Sequence, residues 1–200
     1  SDVCSSDLQL AAIIFLLAGL RRGELTALTW DDIDFENKTI NVDKSFDFKE
    51  YEVKDPKTDA GTRTVTISEY LCQILKAAKE ESKSEYVIEK ARGGRMTESA
   101  WKRLFEYYMI ALKEADEKYK EENECSSDDV FEKFTPHILR HTYCSMLQWA
   151  GVDIKTAQEL MGHNDYEVTA NVYTHGDNDL KVAAASLQNE YLNNFLKAEK

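Results

Sequence analysis

Proline is scarce in this chain, two residues in 200, and glycine numbers only eight. So few breakers exclude long linkers and argue against disorder. There is no internal repeat and no low-complexity tract. Apolar runs are short as well. Leu10 to Ala18 cannot span a bilayer, and its arginines follow rather than precede it, with no small-residue cleavage site, so it reads as neither span nor signal peptide. The four cysteines (Cys4, Cys72, Cys125, Cys144) show no C-x-x-C spacing. A disulfide framework is not expected at this size, which points to a reducing, cytoplasmic setting. Cys72 and Cys144 fall inside helical patterns, as buried free thiols do.

Positive charge is the other deficit: 25 Lys and Arg stand against 37 Asp and Glu, for a net charge of −12. That balance is awkward for a nucleic-acid binder and counts against tight DNA binding by this domain alone. The acidity is uneven, however. Residues 113–133 hold four Lys against nine Asp and Glu, and steering depends on the local field rather than the sum. What the chain has in quantity is apolar and aromatic residues, 42% hydrophobic with 10 Tyr, 8 Phe and 3 Trp, enough to build one ample domain.

Leu8 to Leu20 is apolar on nearly every side and reads as a buried helix stopped by Gly19. A second helix opens in Gly19-Leu20-Arg21-Arg22-Gly23-Glu24-Leu25 and runs to about Leu28. Thr39 to Val42 alternates like a half-buried strand after the turn Glu36-Asn37-Lys38, and Arg63 to Ile67 alternates again. Phe46 to Val53 extends a hairpin arm on a weaker pattern. Ser68 caps a helix with Leu71, Ile74, Leu75 and Ala78 on one face. Tyr86 to Ile88 is a short strand or an extended link, and Arg92 to Arg95 a basic loop. Thr97 caps a long helix whose stripe Trp101, Leu104, Phe105, Tyr108, Met109 and Leu112 is core, with a solvated tail over 114–124. Cys125 to Asp129 is a loop. Asp179 to Ala198 is amphipathic through Leu180, Ala184, Leu187, Tyr191 and Phe195.

The informative stretch is Thr135 to His175, which reads as three short helices. Thr135 caps the first and Pro136 takes its first turn, with Gly151 as the left-handed stop beyond Ala150. Asp153 caps the second, which ends at Gly162 with His163 directly after. Asp165 caps the third, which carries Tyr173 near its end. His137 and Arg140 share one face of a first turn. Two imidazoles, a guanidinium and a phenol thus stand at helix ends, where side chains can converge on one ligand. Arginine binds phosphate oxygens bidentately, and a phenol beside it is a nucleophile for phosphorus.

The ordered set His137-x-x-Arg140, then Leu160-Met161-Gly162-His163, then Tyr173 ten residues on, closely resembles the C-terminal signature of tyrosine recombinases, the phage-integrase family. The resemblance places that family's first arginine on Arg21, in the context Gly-Leu-Arg-x-x-Glu-Leu, with Glu24 as its support. It places the hairpin lysine on Lys57, through the pattern Lys-Thr-x-x-(Ser/Gly)-x-Arg. The fold it implies is mainly α with one small antiparallel β-sheet near the N-terminus, the α+β catalytic domain of DNA breaking-rejoining enzymes. Residues 1–7 match nothing in the pattern and are expected to be a non-native or disordered leader. Residues 8–200 would be a single catalytic domain, a fragment without the N-terminal core-binding domain of full-length members.

The reaction implied is transesterification at a DNA phosphodiester. Tyr173 attacks, Arg21 and Arg140 stabilise the transition state, His137 is the base, Lys57 protonates the leaving oxygen and His163 positions the phosphate. No cofactor and no metal are implied. The partners implied are double-stranded DNA and further copies of the chain in a tetramer, joined through the C-terminal helix, in an integrase of a phage or mobile element. Alternatives remain at this level. The fold could serve a non-catalytic DNA-binding or assembly role; a type IB topoisomerase shares the chemistry; Tyr166 competes as nucleophile. His137 and His141, four apart, form a weaker metal-binding pair, lacking the Glu that a zinc hydrolase would place after the first His.

Overall fold

The computed structural model describes residues 5–55, 61–123 and 135–174. Its first helix, α1 (Ser5–Ala18), is the centre of the core. Leu10, Ala11, Ala12, Ile14, Phe15 and Ala18 are all buried, because the helix packs against three others. These are α3 (Glu69–Glu81), α4 (Glu98–Asn123) and α5 (Pro136–Trp149). Such a helix, apolar nearly all round, leaves only Gln9 exposed among residues 9–18. It starts at Ser5, so residues 5–7 of the expected leader are helical; residues 1–4 are not among those described.

A short helix, α2 (Arg22–Ala27), follows directly, then a 3-10 turn (Trp30–Asp32). Strands β1 (Ile33–Asp34), β2 (Thr39–Val42) and β5 (Arg63–Thr66) form an antiparallel sheet in the order β1-β2-β5. Ile40 faces Val65 across it, both fully buried, which fixes the register, since a slip by one would expose both. The expected hairpin arm is real but does not join this sheet. Strands β3 (Ser45–Asp47) and β4 (Glu52–Lys54) pair only with each other, so the described residues hold two small sheets rather than one. The arm lies on α2 instead: Phe48 sits under the Arg22 guanidinium at 4.2 Å, and Phe46 packs edge-on against Phe48 and Tyr51.

The capping residues anticipated from sequence do their work. Ser68 Oγ accepts from Leu71 N–H at 3.2 Å, and Thr135 Oγ1 from Ile138 N–H at 3.2 Å. Thr97 Oγ1 accepts from Ala100 N–H at 3.1 Å. Trp101 and Leu104 of α4 are buried against Phe15, and Trp101 Nε1 donates to Thr26 Oγ1 at 2.8 Å. Tyr86 makes only an isolated bridge to Thr29, so residues 86–88 are a link and not a strand. Two further helices, α6 (Ile154–Met161) and α7 (Tyr166–Thr174), fold back on α5. Cys72 and Cys144 are buried free thiols. The expected loop at 125–129 and helix at 179–198, with Cys4 and Cys125, lie outside the described residues. No helix among the described residues is long and apolar enough to cross a membrane.

Gly19 is the hinge between α1 and the arginine that follows it. Its φ of +61° is the left-handed region, and a Cβ there would stand 2.2 Å from the Tyr143 ring. Gly19→Ala should therefore destabilise the fold by about 2 kcal/mol, lowering the thermal midpoint by roughly 4–8 °C. An unchanged midpoint in differential scanning calorimetry would contradict this packing.

Candidate active site

The site is built on the C-terminus of α6. Asp153 caps its start, accepting from Lys155 and Thr156 N–H groups, and Gly162 ends it in the left-handed conformation. A helix end leaves its last carbonyls without intrahelical partners and carries partial negative charge. Here three consecutive carbonyls each accept from a different arginine. Arg63 Nε donates to Leu160 O at 2.9 Å, Arg140 Nη2 to Met161 O, and Arg21 Nη2 to Gly162 O. Three segments far apart in sequence are thereby fixed on one helix end.

Glu24 ties the same three arginines together. Standing at the third position of α2, its carboxylate reaches back to the backbone N–H of Arg21 at 2.7 Å and to the Arg21 guanidinium at 2.6 Å. Arg63 grips it as a fork, at 3.0 and 2.9 Å. Arg140 Nη1 stands 4.0 Å away and donates to Gly19 O. Burial alone would raise the Glu24 carboxyl, but the Arg63 fork and the nearby Arg21 hold it at about 2. Burial and repulsion from Arg21 push Arg140 down to about 9, still charged at neutral pH. Three guanidiniums against one carboxylate leave two positive charges in excess.

Arg21 and Arg140 open onto a cleft of about 380 Å³, lined also by Leu20, Arg22, Thr135, Pro136, His137 and His163. His163 Nδ1 shares a hydrogen bond of 2.9 Å with the buried Thr169 Oγ1, so Nε2 is the ring nitrogen left for a ligand. Burial, then the charges of Arg140, Arg21 and Arg63, push this imidazole down to about 4, so it is neutral at pH 7. His137 is exposed at the mouth of the cleft. A second cleft, of about 700 Å³, shares Arg21 and Arg22 and continues along the β3–β4 arm past Lys44, Lys49 and Lys54.

Four of the six expected reaction residues thus line one cleft: Arg21, His137, Arg140 and His163. Glu24 supports Arg21 as expected. Lys57 lies outside the described residues. Tyr173 does not line the cleft. Its hydroxyl donates to Val152 O at 3.2 Å, beyond the far end of α5, and its ring packs against Tyr143, Cys144 and Met161. Arg140, in the second turn of that helix, and Trp149, its last residue, are about 14 Å apart along its axis. Burial, followed by neighbouring negative groups, pushes the Tyr173 phenol up to about 12. The competing Tyr166 is exposed at the start of α7, and His141 is exposed outside the cleft. Among the described residues no three His, Cys, Asp or Glu side chains are grouped to hold a metal.

Arg63 is the residue that reading the sequence missed. It occupies the arginine of the pattern that picked out Lys57, yet was taken only as the first residue of an alternating strand. That pattern was the available signal.

Comparison with known proteins agrees with this geometry. The family model described as the phage integrase family matches residues 4–179. A XerC-like tyrosine recombinase of Caldanaerobacter subterraneus subsp. tengcongensis is 33% identical over 193 residues, covering 81% of this chain and 44% of that protein. The transposase from transposon Tn916 of Enterococcus faecalis is 31% identical over 178 residues, covering 86% of this chain and 43% of that protein. The chain therefore spans less than half the length of these relatives. Among solved structures, the Tn1549 transposon integrase in complex with circular intermediate DNA superposes with a TM-score of 0.75 at 26% identity, over 94% of this chain and 62% of that one.

Two depressed groups of this site, His163 and Glu24, add to the acid sensitivity of the fold. His163 sits near 4 folded against about 6.5 unfolded, so the unfolded chain takes up its proton first. Its stabilising contribution is complete above about pH 6.5 and is lost as pH falls toward 4; Glu24 adds a further loss between about 4.5 and 2. Denaturant midpoints should fall steadily from pH 7 to pH 4, and less so in His163→Gln. A midpoint that is flat over this range, or an equal slope in the variant, would contradict the assignment.

Proposed function

Since the chain belongs to the phage integrase family, we propose that it is the catalytic domain of a site-specific DNA recombinase, cleaving and rejoining DNA through a 3′-phosphotyrosine intermediate. The observation that carries this reading is the cleft in which Arg21 and Arg140, held by α6 carbonyls and Glu24, present excess positive charge beside a neutral His163. Such a cleft fits a phosphodiester. The Tn1549 integrase, similar over 94% of this chain, is bound to DNA in its solved structure, which supports DNA as the substrate here.

In this reading the Tyr173 oxygen attacks phosphorus and the bond to the 5′-oxygen breaks. The product is a 3′-phosphotyrosine with a free 5′-hydroxyl, and the bond energy stays in the covalent link. The phenolic proton passes to His137, and Lys57 supplies the proton taken by the departing oxygen. Arg21 and Arg140 meet the negative charge that builds on the non-bridging oxygens. Preorganised donors of this kind are worth roughly 3–4 kcal/mol each. His163, neutral, donates one hydrogen bond to a phosphate oxygen. Two guanidiniums supply the charge that a divalent cation gives in other phosphoryl transferases. Rejoining is the same step in reverse, on a new strand. Tyr173 must first leave Val152, because a phenol held near 12 is a poor nucleophile and stands outside the cleft. Further copies of the chain, joined through residues 179–198, complete a synaptic tetramer.

A DNA substrate nicked beside the cleavage point should trap a covalent adduct with the wild-type chain and with Tyr166→Phe, and none with Tyr173→Phe. Adduct yield should be the same in EDTA with dithiothreitol as in magnesium. An adduct that survives Tyr173→Phe, or that forms only with magnesium, sinks the mechanism. With its net charge of −12, the isolated chain should bind DNA weakly and lose affinity steeply with salt, because phosphate contacts release counterions. Tight, sequence-selective binding at physiological salt would contradict that.

A further inference from the structure

The same cleft contains a division of labour among its arginines that neither the motif nor the family match assigns. A guanidinium has five N–H donors. Arg63 commits its donors to four protein oxygens: Leu160 O at 2.9 Å, both Glu24 oxygens at 3.0 and 2.9 Å, and Gly61 O at 3.5 Å. Its side chain is only 7% exposed, and it lines neither cleft. Arg21 is the opposite case. It is 41% exposed, donates to Glu24 and Gly162, and lines both clefts, with donors to spare for a ligand.

Arg21 and Arg63 reach the same two objects, the Glu24 carboxylate and the end of α6. Glu24 Oε1 accepts from both, at 2.6 Å from Arg21 and 3.0 Å from Arg63. Two carbonyls of the same helix end, Leu160 and Gly162, flanking that of Met161, accept from one each. Without the Arg63 fork, Glu24 keeps only its bonds to Arg21, and the anchor of Arg21 loses its tie to β5 and to Leu160 O. Lysine cannot replace the fork, because an ammonium is a compact point charge that does not bind both carboxylate oxygens in plane.

We propose that Arg63 is a positioning residue for phosphoryl transfer: it never touches the DNA, but locks Glu24 against α6 so that Arg21 is aimed at the reacting phosphate. This rests on the reading of the cleft given above.

The test compares Arg63→Lys, Arg21→Lys and the double variant in single-turnover adduct formation on nicked DNA. DNA affinity and thermal midpoint are followed alongside. In parallel, the Nη–H signals of Arg21 are recorded by NMR in the DNA-free chain. Arg63→Lys should slow cleavage about 10- to 100-fold, the range expected when a transition-state donor is misplaced rather than removed. DNA affinity should change by less than about twofold, since a charge is kept and no phosphate contact is lost. The double variant should be no slower than Arg21→Lys alone, because residues acting as one unit are not additive. Arg21 should give resolved Nη–H signals in the wild-type chain, averaged by rotation in Arg63→Lys. An unimpaired Arg63→Lys beside a crippled Arg21→Lys, a fully additive double variant, or Arg21 signals unchanged by Arg63→Lys overturns the inference alone. An unimpaired Arg21→Lys overturns the reading of the cleft and the inference with it.

Discussion

Three arginines on three successive carbonyls at the end of α6 are the constraint on which the rest of this structure depends. Leu160, Met161 and Gly162 receive Arg63, Arg140 and Arg21 respectively. Burying like charges together is costly, and the helix end offsets part of that cost with its partial negative charge while Glu24 offsets more. The offset is incomplete by design of the residue count: one carboxylate faces three guanidiniums. The unfolded chain does not hold these charges together, so tertiary packing must. The core supplies it. Helix α1, buried along most of its length, delivers Gly19 and Arg21; edge strand β5 delivers Arg63 as its first residue; α5 delivers Arg140 with its Pro136 turn at the cleft mouth.

Much of this was legible because it is local. A capping side chain and its target are two or three residues apart, so Ser68, Thr97, Thr135 and Asp153 could be read as caps directly. The left-handed stop at Gly162 is likewise a property of one residue and its neighbours. The ordered motif residues also declared themselves, and four of them meet in one cleft. What escaped is what depends on distant partners. Arg63 bonds a carbonyl 97 residues away, and nothing in an alternating strand pattern reports that. The β3–β4 arm reads from sequence only as a weak hairpin pattern, and the aromatic and cation contacts that hold it on α2 exist only in three dimensions.

The place of Tyr173 shows the same limit in a functionally more telling way. Its position near the end of α7 follows from spacing, but where its hydroxyl points follows from packing on Tyr143, Cys144 and Met161. Two clusters therefore adjoin along α5: a charged one around Arg140 and, a turn further on, an apolar one around Tyr143 and Cys144, while the Tyr173 hydroxyl is directed to Val152 beyond the helix end. The charged cluster is tied together by hydrogen bonds that Glu24 and the α6 carbonyls accept from three arginines. The apolar one is small, and Tyr173 is held in it by one hydrogen bond from its hydroxyl to Val152 and one to its own carbonyl from Gln148. In the proposed mechanism, such an arrangement leaves delivery of Tyr173 to the cleft as the controlling step.

The most direct measurement is a crystal structure of the chain with nicked DNA and orthovanadate, whose trigonal-bipyramidal adduct stands in for the pentacoordinate phosphorus of the transition state. The account predicts vanadium bonded to Tyr173 Oη, with Val152 O vacated. Its equatorial oxygens should lie about 2.7–3.1 Å from donors of Arg21, Arg140 and His163, while Arg63 still grips Glu24. Vanadium bound outside this cleft, or bonded to another side chain while Tyr173 remains on Val152, would contradict the account at its centre.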